Sequence, residues 1–214
     1  MKKHLLAAAA VFTCILATIP VASAQTATFS YNDGVGVPNA GTYTPGSSFT
    51  FSITLTFAPG GTVANLEGLS YFFEQQNPSA PFFFSITNRD VTGSQFTFLQ
   101  TPGLTYPQSL TPSNAKDLGA SLPGANGIGA GSYFVANITL SIDPSAAPGI
   151  YQIENTTTGG KTSIISDDAG HTAAIPQSIY TITVAPVPEP ATLTLLVAGL
   201  AVSALLARRR RNSG

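Results

Sequence analysis

The one histidine beyond the N-terminal stretch, His171, closes the run Asp167-Asp168-Ala169-Gly170-His171. An Asp–His pair can orient a base for a hydroxyl nucleophile. A serine hydrolase also needs its serine on a tight turn, and the chain has no G-x-S-x-G run. Hydrolytic zinc wants three histidines or an H-E-x-x-H helix, whereas the chain has two histidines in all, His4 and His171. Glycoside hydrolysis needs two facing carboxylates. Glu67 and Glu74 are seven residues apart, an odd spacing that puts them on opposite faces of one strand. Asp90, Asp117, Asp143 and Glu154 sit in or beside turn sequences, and no spacing favours any pair of them. Asn32-Asp33 and Asp167-Asp168 offer hard oxygen ligands for calcium, but no D-x-[DN]-x-[DN]-G loop is present, and turn formation is the simpler role. These residues predict a loop-surface His171, no catalytic group, no bound metal and no cofactor.

The surrounding sequence predicts strands. Phe49, Phe51, Ile53, Leu55 and Phe57 alternate with Thr50, Ser52, Thr54 and Thr56, one face for a core and one for water. Phe134, Ala136, Ile138, Leu140 and Ile142 repeat the pattern, as do Tyr180, Ile182 and Val184. Less regular candidates are 26–31, 68–74, 82–87, 94–99, 149–154 and 162–166, making about nine strands. Between them stand turn sequences such as Asn32-Asp33-Gly34, Pro59-Gly60-Gly61 and Pro148-Gly149. A short helix is expected at most near 113–118, capped by Ser113. Charged residues are 9% of the chain, with 20 Gly, 16 Pro and no Trp, a balance that disfavours helical bundles. The aromatic runs Tyr71-Phe72-Phe73 and Phe82-Phe83-Phe84 read as core if both sheet faces are covered. If one face is open, Phe73 or Phe83 would contribute to a flat apolar platform for a sugar ring or a partner protein.

Both ends differ from the body. Lys2-Lys3-His4 precedes an apolar run from Leu5 to Ile19, Pro20 breaks it, and Ala22-Ser23-Ala24 supplies the small residues of a signal peptidase site. The expected mature start is Gln25, so residues 1–24 form a signal peptide. Cys14, the one cysteine, leaves with it and takes disulfide chemistry away. At the other end, Ala185-Pro186-Val187-Pro188-Glu189-Pro190 can enter neither a central strand nor a helix interior. Residues 191–207 are uncharged and rich in Leu and Val, and Arg208, Arg209, Arg210 and Arg211 follow. As a helix the apolar stretch would span roughly 26 Å at about 1.5 Å per residue, against a bilayer core of about 30 Å. The arginines would stop it on the cytoplasmic side and leave the body outside. Setting aside these four and the two N-terminal lysines leaves 3 basic residues against 10 acidic ones, about −7. That charge argues against nucleic acid as a partner.

Val187-Pro188-Glu189-Pro190, a short apolar segment and an arginine cluster at the terminus resemble the PEP-CTERM sorting signal of Gram-negative envelope proteins. The resemblance covers about the last 28 residues. It implies recognition of Pro188, Glu189 and Pro190 by exosortase, a membrane-embedded cysteine transpeptidase, and delivery to the outer surface, often among exopolysaccharide. A weaker resemblance concerns the body. Tyr43-Thr44-Pro45-Gly46, then 65–71, and later Ile142-Asp143-Pro144 through Ala147-Pro148-Gly149-Ile150-Tyr151 are similar to pieces of cohesin-like jelly-roll domains, and together cover about a third of it.

The expectation is therefore a signal peptide (1–24), a single all-β sandwich of the jelly-roll type (25–185) and a sorting signal with a transmembrane helix (186–214). Its processing partners would be signal peptidase and exosortase. The precursor would be anchored in the inner membrane, and the product would be a non-catalytic cell-surface or matrix protein. The alternative is a module that binds exopolysaccharide or matrix proteins.

Overall fold

A computed structural model of the chain describes residues 25–76, 81–112, 114–124, 126–155 and 161–187. Ala22 and Ala24 of the expected cleavage site, Pro188, Glu189 and Pro190, the apolar run 191–207 and the four terminal arginines all lie outside the described residues. Among those described there is no helix, and so none long and apolar enough to cross a membrane.

Among the described residues, fourteen strands form three sheets. The long ones follow the alternating stretches: β1 (Thr26–Asn32), β3 (Ser48–Ala58), β6 (Phe84–Asp90), β10 (Gly131–Ile142), β11 (Gly149–Asn155) and β14 (Ile179–Val184). The short ones are β2 (Ala40–Tyr43), β4 (Gly68–Ser70), β5 (Phe73–Gln75), β7 (Phe98–Leu99), β8 (Gln108–Ser109), β9 (Ala120–Ser121), β12 (Ile164–Ser166) and β13 (Thr172–Ala174). One sheet runs β1-β3-β10-β6-β8, a second β2-β14-β11-β5, and a third, of short strands, β13-β12-β4-β9-β7. The pairings are antiparallel except β2 with β14. The result is an all-β sandwich, the expected fold class. Each of the expected strands has a counterpart, and the additional ones, β2, β8, β9 and β13, are too short for an alternation to show.

Between the sheets lies one core. Phe51, Ile53, Leu55 and Phe57 of β3 meet Tyr180, Ile182 and Val184 of β14, with Tyr31, Tyr71 and Phe73 wedged among them. Tyr31 contacts Phe51, Phe73 and Tyr180 edge-on at 5.7, 5.8 and 6.2 Å between ring centres, a geometry aromatic quadrupoles favour. The outer face of the first sheet is hydroxylated: Thr50 bonds Thr139 at 2.8 Å and Thr56 bonds Ser132 at 3.0 Å.

Three local expectations change. In β10 the register with β3 shifts between Phe134 and Ala136. The bulge turns Val135 inward and leaves Phe134 half-buried, because an inserted residue moves the preceding side chains to the other face. The stretch 68–74 is two strands in different sheets, β4 and β5. The expected helix near 113–118 is not formed: Ser113 lies outside the described residues, and 114–118 hold one turn closed by Ala115 N–H on Thr111 O at 3.0 Å.

Candidate functional site

The last strand, β14, is second from the edge of its sheet, between β11 and the edge strand β2. Beyond it, Ala185 N–H still donates to Tyr43 O at 2.8 Å, and the chain leaves through Pro186 and Val187, the latter 58% exposed. The parallel ladder engages alternate residues of β2. Thr181 N–H bonds Asn39 O at 2.8 Å and Ala185 bonds Tyr43, so the N–H and C=O of Thr42 face away from β14.

Against this free edge stands the loop that follows β1. Asn32 Oδ1 accepts Gly34 N–H at 2.8 Å, with Gly34 at φ 77°. Asp33 Oδ1 accepts Val35 N–H at 3.0 Å and Gly36 N–H at 3.3 Å. Its Oδ2 accepts Tyr43 Oη–H at 2.6 Å and Tyr180 Oη–H at 3.3 Å, and the two phenol oxygens are themselves 2.6 Å apart. Burial alone would raise the Asp33 carboxyl. The hydrogen bonds from Tyr43, Val35, Gly36 and Tyr180 outweigh it and hold the group below the usual carboxylate range. Burial, then the bond to Asp33, push the Tyr43 phenol far up. Tyr180 is raised to about 12, chiefly by burial. The three groups stay as one anion and two neutral phenols across the neutral pH range.

Between loop and edge strand lies an open groove of about 560 Å³, lined by Asp33, Val35, Val37, Thr42, Tyr43 and Thr183 among others. Val35 and Val37 are 90% and 73% exposed. The Tyr43 ring stacks on Phe49 with centroids 3.7 Å apart, and residue 41 passes beneath it, where any Cβ would come within 2.2 Å of Tyr43 Oη. Any larger residue would have to push the tyrosine ring aside.

A second polar group sits on the same sheet, between β11 and β5. Glu154 and Glu74 stand directly opposite in the β11–β5 pair, both 8% exposed, and the Gln177 amide donates to Glu154 Oε2. Burial foremost raises Glu154; the bond from Gln177 opposes this, and the facing Glu74 carboxyl adds to it. No spacing in the sequence pointed to this pair, because strands distant along the chain bring it together.

His171 lies where the sequence put it, on a loop, its side chain 58% exposed. Asp167, buried, closes that hairpin: Oδ1 accepts the N–H of Ala169 at 3.1 Å and of His171 at 2.8 Å, and Oδ2 meets His171 Nδ1 at 2.9 Å. These bonds outweigh the desolvation of Asp167 and lower its carboxyl. Asp90, Asp117 and Asp143 also hold turns, through Thr92, Gly119 and Ser145. Among the described residues, no three acidic, histidine or cysteine side chains are grouped to hold a metal. Gln25, the expected mature start, accepts Val63 N–H on Oε1 at 3.1 Å. Of the aromatic runs, Tyr71, Phe73 and Phe84 are core, which removes Phe73 from any platform. Phe83 is half-buried against Tyr151, with ring centres 5.6 Å apart.

The class defined so far is an all-β sandwich whose final core strand runs straight into a C-terminal appendage. That appendage is identified by comparison: residues 186–211 match the PEP-CTERM protein-sorting motif. The motif marks an exported protein that is anchored at the membrane before processing. No curated protein matches the chain significantly. Among solved structures, a cohesin module from a Clostridium perfringens family 33 glycoside hydrolase is similar at 16% identity and TM-score 0.48, over 75% of this chain and 96% of that one. A cohesin from Clostridium acetobutylicum is similar at 16% identity and TM-score 0.46, over 75% and 91%. A type I cohesin–dockerin complex from Clostridium thermocellum gives 11% and 0.45, over 74% and 99%.

Proposed function

We propose that this chain is an exported, non-catalytic surface or matrix protein. Its N-terminal segment is removed after Ala24, its C-terminal segment is recognised at Pro188, Glu189 and Pro190 by exosortase, and the sandwich is left outside the cell. One observation carries the reading: the sorting motif begins at Pro186, two residues after the last core strand ends at Val184. Processing therefore removes the appendage and leaves every core strand in place. Mass spectrometry of extracellular material should find the protein without Ala191–Gly214, and Glu189→Ala should trap precursor in the membrane. Recovery of the intact C terminus outside the cell would overturn the proposal.

The groove beside β2 favours a second reading, a binding module. Apolar walls from Val35 and Val37 and hydroxyls from Thr42 and Thr183 suit a chain that is partly apolar and partly hydrogen-bonding. Saturable binding of the secreted protein to matrix polysaccharide, weakened by Val37→Asp, would support it. A flat response across a glycan array and in matrix pull-downs would leave the structural role alone.

A further inference from the structure

We infer that the groove between the 33–37 loop and β2 is a docking surface for the enzyme that processes the C-terminal motif, and that it takes an extended, apolar segment of that enzyme as an added strand on β2. The inference rests on the processing reading above and deepens it by naming a second contact.

Three observations lead there. First, β2 is an edge strand among the described residues, and Thr42 directs its N–H and C=O away from β14. An edge of this kind is a template for strand addition. Second, the groove along it is open, with two exposed valines on its outer wall. The Asp33 carboxylate keeps its charge, but its oxygens are already engaged by two backbone N–H groups and two phenols. Alternate side chains of an apolar strand would find the valines, and its backbone would find Thr42. Third, the occupant is fixed by where the chain goes. β14 is the neighbour of β2 and points the same way, and Ala185 is still bonded to Tyr43 at the mouth of the groove. From Ala185 to Pro188 is three residues, at most about 11 Å of extended chain, and to Pro190 at most about 18 Å. Any enzyme engaged on Pro188, Glu189 and Pro190 is therefore already against the end of the groove. A second contact made there costs little further ordering, because the first has brought the partners together.

The test is pulse-chase of the full chain in the producing cells, following conversion of precursor to the shortened form. Val35→Asp and Val37→Asp place a carboxylate on exposed side chains of the loop, where folding tolerates it, and should slow conversion roughly tenfold or more by burying a charge on docking. Thr42→Pro removes the outward N–H and should do the same. Ile150→Asp, on an equally exposed residue outside the groove, should convert at the native rate. A photo-crosslinker at position 37 should yield an adduct that mass spectrometry identifies as the processing enzyme. Normal conversion of the two valine variants, with Glu189→Ala blocked, overturns the docking surface and leaves processing standing. Normal conversion of Glu189→Ala overturns processing itself and this inference with it. Crosslinks only to a second copy of the chain, or to polysaccharide, also overturn it.

Discussion

Tyr43 is the side chain on which the groove depends. Its ring lies on Phe49, its hydroxyl ties Asp33 to Tyr180, and Gly41 makes room beneath it. Gly41→Ala should cost about 1–3 kcal/mol, as overpacking does, because the new methyl would push the ring off Phe49; thermal unfolding measures it. Tyr43→Phe keeps the stack and removes the tie, so the 33–37 loop should exchange its amides faster while the core does not. The acids make opposite contributions to pH dependence. Asp33 and Asp167 have lowered carboxyls, so their contribution is present above the ordinary Asp range and is lost as pH falls through their folded values. Glu154 is raised, so its contribution is complete below the ordinary Glu range and is lost as pH rises through its elevated folded value. Stability should therefore peak in mildly acidic solution. Glu154→Gln should flatten the alkaline side of that peak, as a series of melting temperatures against pH would show.

At the scale of elements, β3 separates inside from outside cleanly. Leu55 is fully buried and paired with Phe29 on one side and Tyr133 on the other. Leu55→Ala should cost about 2–5 kcal/mol, while its neighbour Thr54→Ala, on the outer face, should stay within about 0.5 kcal/mol; denaturant titration separates the two. The same alternation made β3, β14 and most of β10 legible beforehand. In a half-buried strand, the chemistry of each residue reports its face. The bulge at Phe134–Ala136 was not legible, since Tyr133, Phe134 and Val135 are all apolar and allow either register. Nor was the division of 68–74, where Leu69, Tyr71 and Phe73 are all core residues but the chain passes from one sheet to another between them. The groove was hidden for a related reason. Asn32-Asp33-Gly34 announced a turn and Tyr180 an inward-facing ring, but only the parallel pairing of β2 with β14, too short to signal itself, brings Asp33, Tyr43 and Tyr180 together.

For the whole molecule, the order of strands along the chain matters. β14 carries Tyr180, Ile182 and Val184 into the core and bonds strands on both sides, yet it is the last of the described strands along the chain. A chain ended after Ala174 should lack a folded body, and limited proteolysis should degrade it where the full chain resists. The address, by contrast, was legible because it is written in contiguous residues whose meaning does not depend on folding.

The pinning of β14 also decides how the body answers to force. Any pull applied at the C-terminal end, by a membrane, a matrix or moving water, enters through Ala185 and runs along the axis of β14. Its bonds to β2 and β11 lie across that axis, so they are loaded in shear and must yield together rather than peel open one at a time. A load entering at Ala185 is therefore met by the whole ladder of β14 at once.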